Sequence, residues 1–226
     1  MNTDTTRSPA DARETTLIVI RHGETEWNRE RRMQGTTDTR LSDLGRAQAR
    51  AVGRHLARSA FTALYSSDLS RARDTAAAIS EITGRAIVVD PRLQERRFGI
   101  FEGLLAEEIR ARYPDEHARF ASGDFEYEVP GGESARDFTA RCLGCLAEIA
   151  GRHPGEEIAV VTHGLVLDAL YRVAHGLAHG EKRPVPLINA SLNRFGYGTA
   201  WRMVVWGDVS HLEAHEVTQY RGVATS

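Results

Sequence analysis

The stretch LIVIRHGETEWN, residues 17–28, changes character after its fourth residue. Its first four residues are apolar and mostly β-branched, a composition typical of a short strand that is buried on both faces of a parallel sheet. Arg21, His22 and Gly23 follow at once. The stretch therefore predicts a buried strand whose carboxyl end carries an arginine and a histidine.

A second stretch, IAVVTHG at residues 158–164, repeats this transition from an apolar run to His163 and Gly164. Ligands bind outside the carboxyl ends of the strands in an open parallel sheet. We therefore expect both histidines at the same edge of one sheet. We also expect the glycine after each histidine to let the backbone turn sharply and approach a ligand closely.

Strand-like and helix-like patterns alternate along the rest of the chain. This alternation predicts a three-layer α/β sandwich, a mostly parallel central sheet with helices on both faces. Strand patterns cover 16–21, 61–67, 86–90, 157–164, 189–198 and 200–208, and helical patterns cover 41–59, 68–84, 107–123 with a break at Pro114, 130–153 and 165–176.

We expect a single domain over residues 15–226, preceded by a disordered leader over residues 1–14. The leader is polar and lacks the apolar core of a signal peptide. Residues 95–132 are expected to form a loop-and-helix insertion over the site. No apolar run is long enough to span a bilayer, and the chain is expected to be cytoplasmic. The sequence leaves the oligomeric state open, a homodimer included.

The charge is balanced, with 29 basic and 31 acidic residues. This balance argues against nucleic acid or an acidic membrane surface as a partner, because both require a basic patch. Lys182 is the only lysine and lies in the turn-like GEKRPVP. A phosphate loop of the G-x-x-x-x-G-K-[ST] type and a Schiff-base lysine are therefore not indicated.

The two cysteines, Cys142 and Cys145, lie in a helical pattern without a second cysteine pair or a suitably spaced histidine. We expect them to pack as small buried hydrophobes. Neither fits C-x5-R, so a thiol phosphatase is not indicated. The absence of a disulfide framework favours a reducing compartment.

The segment RHGETEWN after the first strand resembles the phosphoglycerate-mutase-like histidine phosphatase superfamily. The combination of further motifs resembles its broad-specificity phosphatase branch and is far more specific than RHG alone. Arg40 departs from the pattern, since relatives often have proline there, and we expect this to affect the pocket rim only. The matching motifs are QGTTDTRLSDLGRAQA (34–49), SSDLSRARDTA (66–76), LQERRFGIFEG (93–103), VVTHG (160–164) and GDVSHLE (207–213).

The resemblance implies a phosphoglycerate-mutase-like fold and a phosphomonoester hydrolase that acts on small phosphorylated metabolites. His22 is then the nucleophile that becomes a phosphohistidine. Glu95 is the general acid and afterwards the general base. Arginines would bind the phosphoryl oxygens and replace Mg²⁺, so no metal and no cofactor are expected. The implied phosphate-binding residues are Arg21, Asn28, Arg71, His163 and Gly164, with a weaker substrate contact from Gln34.

Two of these assignments have chemically equivalent neighbours. Arg73 could take the place of Arg71, and Glu102 could take the place of Glu95. Only the resemblance selects Arg71 and Glu95, because composition and spacing do not separate the members of either pair.

Other polar residues near the motifs are interpreted as background. Glu24 and Glu26 flank the nucleophile, but an anion there would repel a phosphate, so we expect orienting or structural roles. His175 and His179 have i,i+4 spacing without a carboxylate ligand in register, and a metal site is not indicated.

Three other functions compete with the phosphatase. A cofactor-dependent phosphoglycerate mutase is the nearest, and a non-catalytic phosphate-binding protein belongs to another class. A metal-dependent hydrolase is disfavoured, because no H-x-H or H-E-x-x-H cluster occurs. The interval from Glu95 to His163 is short, and its segment GDFEYEVPGGES is acidic and aromatic, which favours the phosphatase. We expect residues 95–132 to hold the leaving group.

Overall fold

The computed structural model describes residues 14–220, so the expected leader lies outside the described residues except for Glu14. The helices and strands follow in the predicted alternation. In chain order they are β1 (Thr15–Arg21), α1 (Glu26–Glu30), α2 (Asp43–Leu56), β2 (Leu64–Ser66), α3 (Ser70–Thr83), β3 (Ile87–Val89), α4 (Ala106–Arg112), α5 (Pro114–Ala121), α6 (Ala135–Gly151), β4 (Glu157–Thr162), α7 (Gly164–His175), β5 (Leu187–Ile188), β6 (Leu192–Tyr197), β7 (Trp201–Asp208) and β8 (Gln219–Tyr220). Short 3₁₀ turns lie at Pro91–Leu93, Gly99–Phe101 and Ala214–Glu216.

The central sheet has six strands in the order β3-β2-β4-β1-β6-β7. The strands β3, β2, β4 and β1 pair in parallel with one another, while β6 is antiparallel to both β1 and β7. The expected mostly parallel sheet is confirmed. The small antiparallel sheet of β5 and β8 was not expected, because neither two-residue strand has a detectable sequence pattern.

Helices cover both faces of the sheet and form an apolar core on each face. The apolar side chains of β1 alternate between these two cores. Leu17 and Val19 pack with residues of α6 and α7. Ile18 and Ile20 pack with residues of α2 and α3. Each fully buried aliphatic side chain contributes roughly 1.5–3 kcal/mol. The strand is therefore anchored from both sides.

The largest difference from the expected elements is α1, which lies inside the motif that follows His22. Thr25 Oγ1 accepts a hydrogen bond from the Asn28 N–H, and Asn28 Oδ1 accepts one from the Thr25 N–H, both at 3.1 Å. This reciprocal cap starts the helix. It was missed because the usual third residue of a capping box is Glu or Gln rather than Asn.

Several predicted helices and strands are shorter in the structure. The 41–59 helix begins after the N-cap Ser42 and ends at Leu56, and the 130–153 helix begins after the N-cap Ser134. Both serine side chains accept a backbone N–H in the first turn. A capping side chain ends the helical pattern on its N-terminal side.

Residues 95–132 pack around a small core of their own beside the sheet. Phe98, Phe101, Ile109 and Val129 form this cluster with Met33 from the loop after α1. The pair α4 and α5 breaks at Pro114, as expected.

Both cysteines are buried in the core between the sheet and α6. Burial raises the pKa of both the Cys142 and the Cys145 thiol to about 12. They pack as hydrophobes, as expected. None of the helices between residues 14 and 220 combines the length and the apolarity needed to cross a membrane.

Candidate active site

The two histidines of the matching strand ends lie side by side at the carboxyl edge of the sheet. β1 and β4 are parallel with Arg21 opposite Thr162. The His22 N–H donates to the carbonyl of Thr162 at 3.0 Å, and the rings of His22 and His163 have centroids 5.3 Å apart. The expected common edge is observed.

The hydrogen bond of His22 determines its tautomer. Its Nδ1 lies 2.7 Å from the carbonyl oxygen of Gly23. Because a carbonyl oxygen can only accept, Nδ1 must carry the proton and the Nε2 lone pair is available. Burial, followed by the nearby Arg71 and Arg21, holds the pKa of His22 well below 6.5. His22 is therefore neutral at pH 7.

His163 lies behind His22 and is fully buried. Its Nε2 shares a 2.8 Å hydrogen bond with Ser67 Oγ, while its Nδ1 has no hydrogen-bond partner among residues 14–220. Burial and the charge of Arg71 hold its pKa well below 6.5. The residue is the N-cap of α7 but is not among the residues that line the pocket described below.

Arg71 is the buried arginine at the start of α3 and lines the pocket, whereas Arg73 is exposed. Its Nη1 donates to the carbonyl of Thr37 at 3.0 Å, and its Nη2 donates to that of Gly35 at 2.6 Å. Burial lowers the pKa of Arg71 to about 10, so it stays charged at pH 7. The structure thus separates the two arginines that composition and spacing left equivalent, and it agrees with the resemblance in placing Arg71 at the pocket.

Arg21 ends β1 and also lines the pocket. Its Nη1 donates to the carbonyl of Leu187 in β5 at 2.9 Å. A guanidinium has five N–H donors. Arg71, whose Nη1 and Nη2 each make one such backbone bond, therefore keeps N–H donors beyond the bonds that hold it in place.

Glu95 belongs to the loop at residues 93–103, here called the acid loop, and its carboxylate lines the pocket. Its Oε1 accepts from the Arg96 N–H at 3.0 Å, and its Oε2 accepts from the Leu165 N–H at 3.1 Å. Leu165 belongs to the first turn of α7, so Glu95 lies beside the helix start that follows His163. Burial raises the pKa of Glu95 above 4.5, against the opposing effect of these N–H groups.

Glu102 has a different role, since it does not line the pocket. Its carboxylate accepts the backbone N–H groups of Thr36, Thr37 and Phe98 at 3.1, 2.7 and 2.9 Å. It therefore stabilises the loop at residues 35–37, whose main-chain carbonyls accept the two hydrogen bonds from Arg71. The two glutamates of the acid loop are separated as clearly as the two arginines.

Asn28 and Gln34 both line the pocket. Asn28 Oδ1 accepts from Thr25 and from Asn189 Nδ2, the latter at 3.2 Å, so its own Nδ2 is left as the donor that can face the pocket. Gln34 Oε1 accepts from Thr39 Oγ1 at 3.1 Å. Arg40 is exposed and does not line the pocket, so the expected effect on the pocket rim is not supported.

The acidic residues that follow His22 make structural contacts, as expected. Glu24 Oε1 accepts from Ser42 Oγ at 2.9 Å, and Glu26 pairs with Arg29 on α1. Neither glutamate lines the pocket.

His175 and His179, the two histidines with i,i+4 spacing, contact different residues. His175 stacks on Tyr171 with ring centroids 4.2 Å apart. His179 contacts the ring of Phe125 at 4.7 Å between centroids.

The expected reason for the glycines, a sharp turn and a close approach to a ligand, does not hold at Gly23. Neither Gly23 nor Gly164 has a left-handed φ. A Cβ on Gly23 would overlap the carbonyl of Gly45 in α2, and the Gly23 N–H donates to Thr75 Oγ1 at 3.1 Å rather than pointing at the site. Position 23 has no room for a side chain, because the loop packs directly against α2.

A pocket of about 760 Å³ opens beside these residues. Its inner end is formed by Arg21, His22, Arg71 and Glu95. Aromatic and aliphatic side chains form much of the wall farther out. They are Met33, Phe98, Phe120, Phe138 and Leu165.

The outer end of the pocket has a contribution that the sequence did not predict. Residues 179–183 line it together with residues 120–124 of the insertion, and the Gly123 and Gly180 main chains meet there. Arg172 and Arg183 both pair with Asp168 on this wall. The pocket wall therefore extends beyond residues 95–132, the segment expected to hold the leaving group.

Two further residues that the sequence did not indicate hold the site together. Arg141 of α6 donates to the carbonyls of Arg92 and Gln94 at 2.8 and 3.1 Å, and pairs with Glu133 at 2.6 Å. It attaches the acid loop to the helix. The second residue is Asn189, which donates to the carbonyl of His22 and to Asn28 Oδ1. No local sequence pattern indicates the long-range contacts of either residue.

Comparison with known proteins agrees with this geometry. A family model described as histidine phosphatase superfamily (branch 1) matches residues 17–209. Phosphoglycerate mutase-like protein 4 of Arabidopsis thaliana is 40% identical over 202 residues, covering 87% of this chain and 86% of the relative. A metal-independent phosphoserine phosphatase of Arabidopsis thaliana is 38% identical over 205 residues, covering 88% of this chain and 84% of the relative.

A solved structure shares the same architecture. The structure of the mycobacterial glucosyl-3-phosphoglycerate phosphatase in complex with VO3 is 35% identical in sequence to this chain, and its TM-score is 0.75. The match covers 85% of this chain and 98% of that chain. The range 17–209 matched by the family model contains both His-Gly strand ends, the start of α3 and residues 93–103. The chain belongs to the histidine phosphatase superfamily, branch 1.

Proposed function

We propose that this protein hydrolyses phosphomonoesters of small metabolites through a phosphohistidine at His22. The observation that carries the proposal is the state of this side chain. His22 is neutral, its Nδ1–H is bound to its own main chain, and it lines a pocket beside two buried arginines. A lone pair on Nε2 is what a nucleophile needs.

The inner pocket supplies donors for a phosphoryl dianion. Arg21 and Arg71 contribute permanent charge in a planar form that suits phosphoryl oxygens. Asn28 Nδ2 adds a neutral donor, and the amide of Gly164 opens α7, where the helix dipole favours an anion. His163 would add a contact through Nδ1, its nitrogen without a partner among residues 14–220.

The reaction takes two displacements at phosphorus. His22 Nε2 attacks phosphorus, the N–P bond forms, and the P–O bond to the alcohol breaks while Glu95 donates its proton to the leaving oxygen. Glu95 then takes a proton from water, whose oxygen attacks phosphorus and breaks the N–P bond. Inorganic phosphate leaves. The raised pKa of Glu95 suits a group that must act both as acid and as base.

The pocket supports a leaving group with both apolar and polar parts. Its volume lies in the range of ordinary small-molecule sites. The similarity to a phosphoserine phosphatase and to a glucosyl-3-phosphoglycerate phosphatase supports small phosphorylated metabolites as the substrate class.

A phosphoglycerate mutase is the second candidate, and one observation favours it. Arg172, Lys182 and Arg183 line the outer pocket, although the acid-to-histidine segment is acidic. A mutase needs positive charge there to hold a second acidic group. Both Arg172 and Arg183 are paired with Asp168, however, which offsets their charge and favours the phosphatase.

A phosphoenzyme experiment tests the nucleophile. A substrate labelled at phosphorus, quenched without acid during turnover, is expected to leave an acid-labile and base-stable phosphoprotein. The His22→Ala variant should form none. An unchanged adduct in this variant would show that another residue is the nucleophile.

A product assay separates the phosphatase from the mutase. The enzyme is given 3-phosphoglycerate with and without 2,3-bisphosphoglycerate, and both free phosphate and 2-phosphoglycerate are followed, together with a panel of other esters. We expect phosphate release, retained in EDTA because the arginines supply the positive charge. Efficient isomerisation with little phosphate release would identify a mutase, and binding without turnover would identify a phosphate-binding protein.

The cytoplasmic location and the option of a homodimer are predictions from the sequence alone. Cell fractionation and size-exclusion chromatography with light scattering are the measurements that check them.

A further inference from the structure

Asn189 lies behind the candidate site, just after β5, and is fully buried. Its Nδ2 donates to the carbonyl of His22 at 3.1 Å and to Asn28 Oδ1 at 3.2 Å. Both N–H groups of one side-chain amide are thus directed at the loop that holds the nucleophile. No step of the proposed reaction uses Asn189.

The amide of Asn189 is itself held in one orientation by the C-terminal segment. The Asn189 N–H donates to the carbonyl of Thr218 at 3.0 Å, and Thr218 Oγ1 lies 3.5 Å from Asn189 Oδ1. Gln48 Nε2 of α2 donates to the same Thr218 hydroxyl at 3.1 Å. These contacts place the oxygen of Asn189 toward Thr218 and its nitrogen toward the site.

The consequence falls on Asn28. A phosphoryl oxygen only accepts hydrogen bonds, so Asn28 is useful to a substrate only when its Nδ2 faces the pocket. Two donors on Asn28 Oδ1, from Thr25 and from Asn189, favour that orientation. A flipped Asn28 would place its NH₂ against both donors and leave them without an acceptor, which is unfavourable for a buried polar group.

We infer that Asn189 is a positioning residue, which holds the Asn28 amide with Nδ2 toward the phosphoryl group and ties it to the main chain of the nucleophile. The inference rests on the proposed function, since it assigns Asn28 as a phosphate ligand. Asn189 does not touch the substrate. Its effect passes through Asn28.

Asn193 is a matched control within the same part of the chain. It is equally buried, and its Nδ2 donates to the carbonyl of Val19 at 3.2 Å, while its Oδ1 accepts from the Gly207 N–H at 2.8 Å. Asn193 therefore bridges β1 and β7 without any contact to His22 or Asn28. Losing its amide removes comparable hydrogen bonds without touching the site.

The test is a double-mutant cycle on the full chain. The variants Asn28→Ala, Asn189→Ala, their combination and Asn193→Ala are compared for kcat/KM on p-nitrophenyl phosphate and for the Kd of inorganic phosphate by calorimetry. We expect Asn189→Ala to lower kcat/KM and to weaken phosphate binding by roughly 10- to 100-fold, the value of a hydrogen bond to a charged group. In the Asn28→Ala background the same change should cost less than about threefold. Asn193→Ala should lower the melting temperature but leave the Kd for phosphate near that of the wild type.

Additive effects of Asn28→Ala and Asn189→Ala would overturn the inference, as would an equal loss of phosphate affinity in Asn193→Ala. If Asn189→Ala does not fold, Asn189→Ser, which keeps a small polar group, replaces it in the same cycle. A wild-type protein that binds phosphate but neither hydrolyses esters nor forms a phosphoenzyme would overturn the proposed function, while the binding arm of the cycle would still decide the role of Asn189.

Discussion

Glu95 and Glu102 show how two identical side chains on one loop acquire different chemistry from their surroundings. Glu95 is held by two backbone N–H groups at the wall of the pocket, where burial raises its pKa. Glu102 is held by three backbone N–H groups away from the pocket and stabilises a loop. Of the two, Glu95 is the one that lines the pocket, and its position and raised pKa are those expected of the proposed general acid.

Replacing Glu95 with Gln tests this at the residue scale. We expect kcat on alkyl phosphates to fall by roughly 10²–10⁴, the usual contribution of a positioned acid or base. The loss should be smaller on aryl phosphates, because their leaving oxygens need less protonation. In the wild type, activity should fall above pH 4.5 as Glu95 loses its proton. This limb of the pH–rate profile should be absent in Glu95→Gln.

The matched control is Glu102→Gln. It should lower the melting temperature, since it weakens the hold on the 35–37 loop, and should leave the shape of the pH–rate profile unchanged. Near-normal activity of Glu95→Gln on alkyl phosphates, with a lost pH limb in Glu102→Gln, would reverse the two assignments.

At the scale of elements, the site depends on a close contact between the loop after β1 and α2. A Cβ on Gly23 would overlap the carbonyl of Gly45, and a Cβ on Gly45 would overlap the main chain of Glu24. The pair of glycines lets the main chain of the loop lie directly on the helix. The loop after His22 thus packs on α2 through Gly23 and Glu24, while Asn189 donates to the carbonyl of His22.

Two alanine substitutions separate this packing role from ordinary helix propensity. Gly23→Ala is expected to destabilise the protein by about 1–3 kcal/mol, because backbone atoms must move to admit the methyl group. Gly144 lies inside α6 with no atom within 4 Å of an added Cβ. Gly144→Ala should therefore stabilise by about 0.5–1 kcal/mol, the penalty of glycine in a helix.

Urea denaturation of both variants at neutral pH measures these free energies of unfolding. A Gly23→Ala protein as stable as the wild type would mean that the loop does not press on α2 as the structure shows.

At the scale of the whole molecule, the site makes folding sensitive to acid. His22 and His163 are buried and neutral, with pKa values well below 6.5, chiefly because of burial. In the unfolded chain both rings take up protons near pH 6.5. As the pH falls, these rings therefore bind protons in the unfolded state before they do so in the folded state. The free energy of unfolding keeps its full value above pH 6.5 and decreases as the pH is lowered toward the pKa values of the folded state.

We expect the free energy of unfolding to fall between pH 7.5 and pH 5.5, measured by urea denaturation at both values. His163→Gln removes one of the two buried rings and should show a smaller fall. Glu95, whose folded pKa is raised, acts in the opposite sense, since its protonation favours the folded state as the pH falls. An equal free energy of unfolding at both pH values in the wild type would contradict the buried neutral rings.

Much of the fold and the family could be predicted from local sequence. The two apolar runs that end in His-Gly, and the alternation of helical and strand patterns, depend only on neighbouring residues. α1 and the β5–β8 sheet were missed, because an Asn-based cap and two-residue strands leave no periodic signal. The loop at residues 179–183 was missed as a pocket wall, since nothing local indicates which loops meet over a site.

The sequence by itself determined the strand-end histidines, the superfamily and the set of residues that could bind a phosphate, because these follow from short motifs and from the backbone path they impose. Composition and spacing left Arg71 equivalent to Arg73 and Glu95 equivalent to Glu102; the resemblance selected one residue of each pair, and the tertiary structure gave the physical difference between them. The tautomer of His22 and the contacts of Asn189 came from the tertiary structure alone. Each of these features depends on burial or on a hydrogen bond to a particular partner, and the partners Asn189 and His22 lie 167 residues apart. Residue type states which bonds a side chain can make, and packing determines which of them it does make.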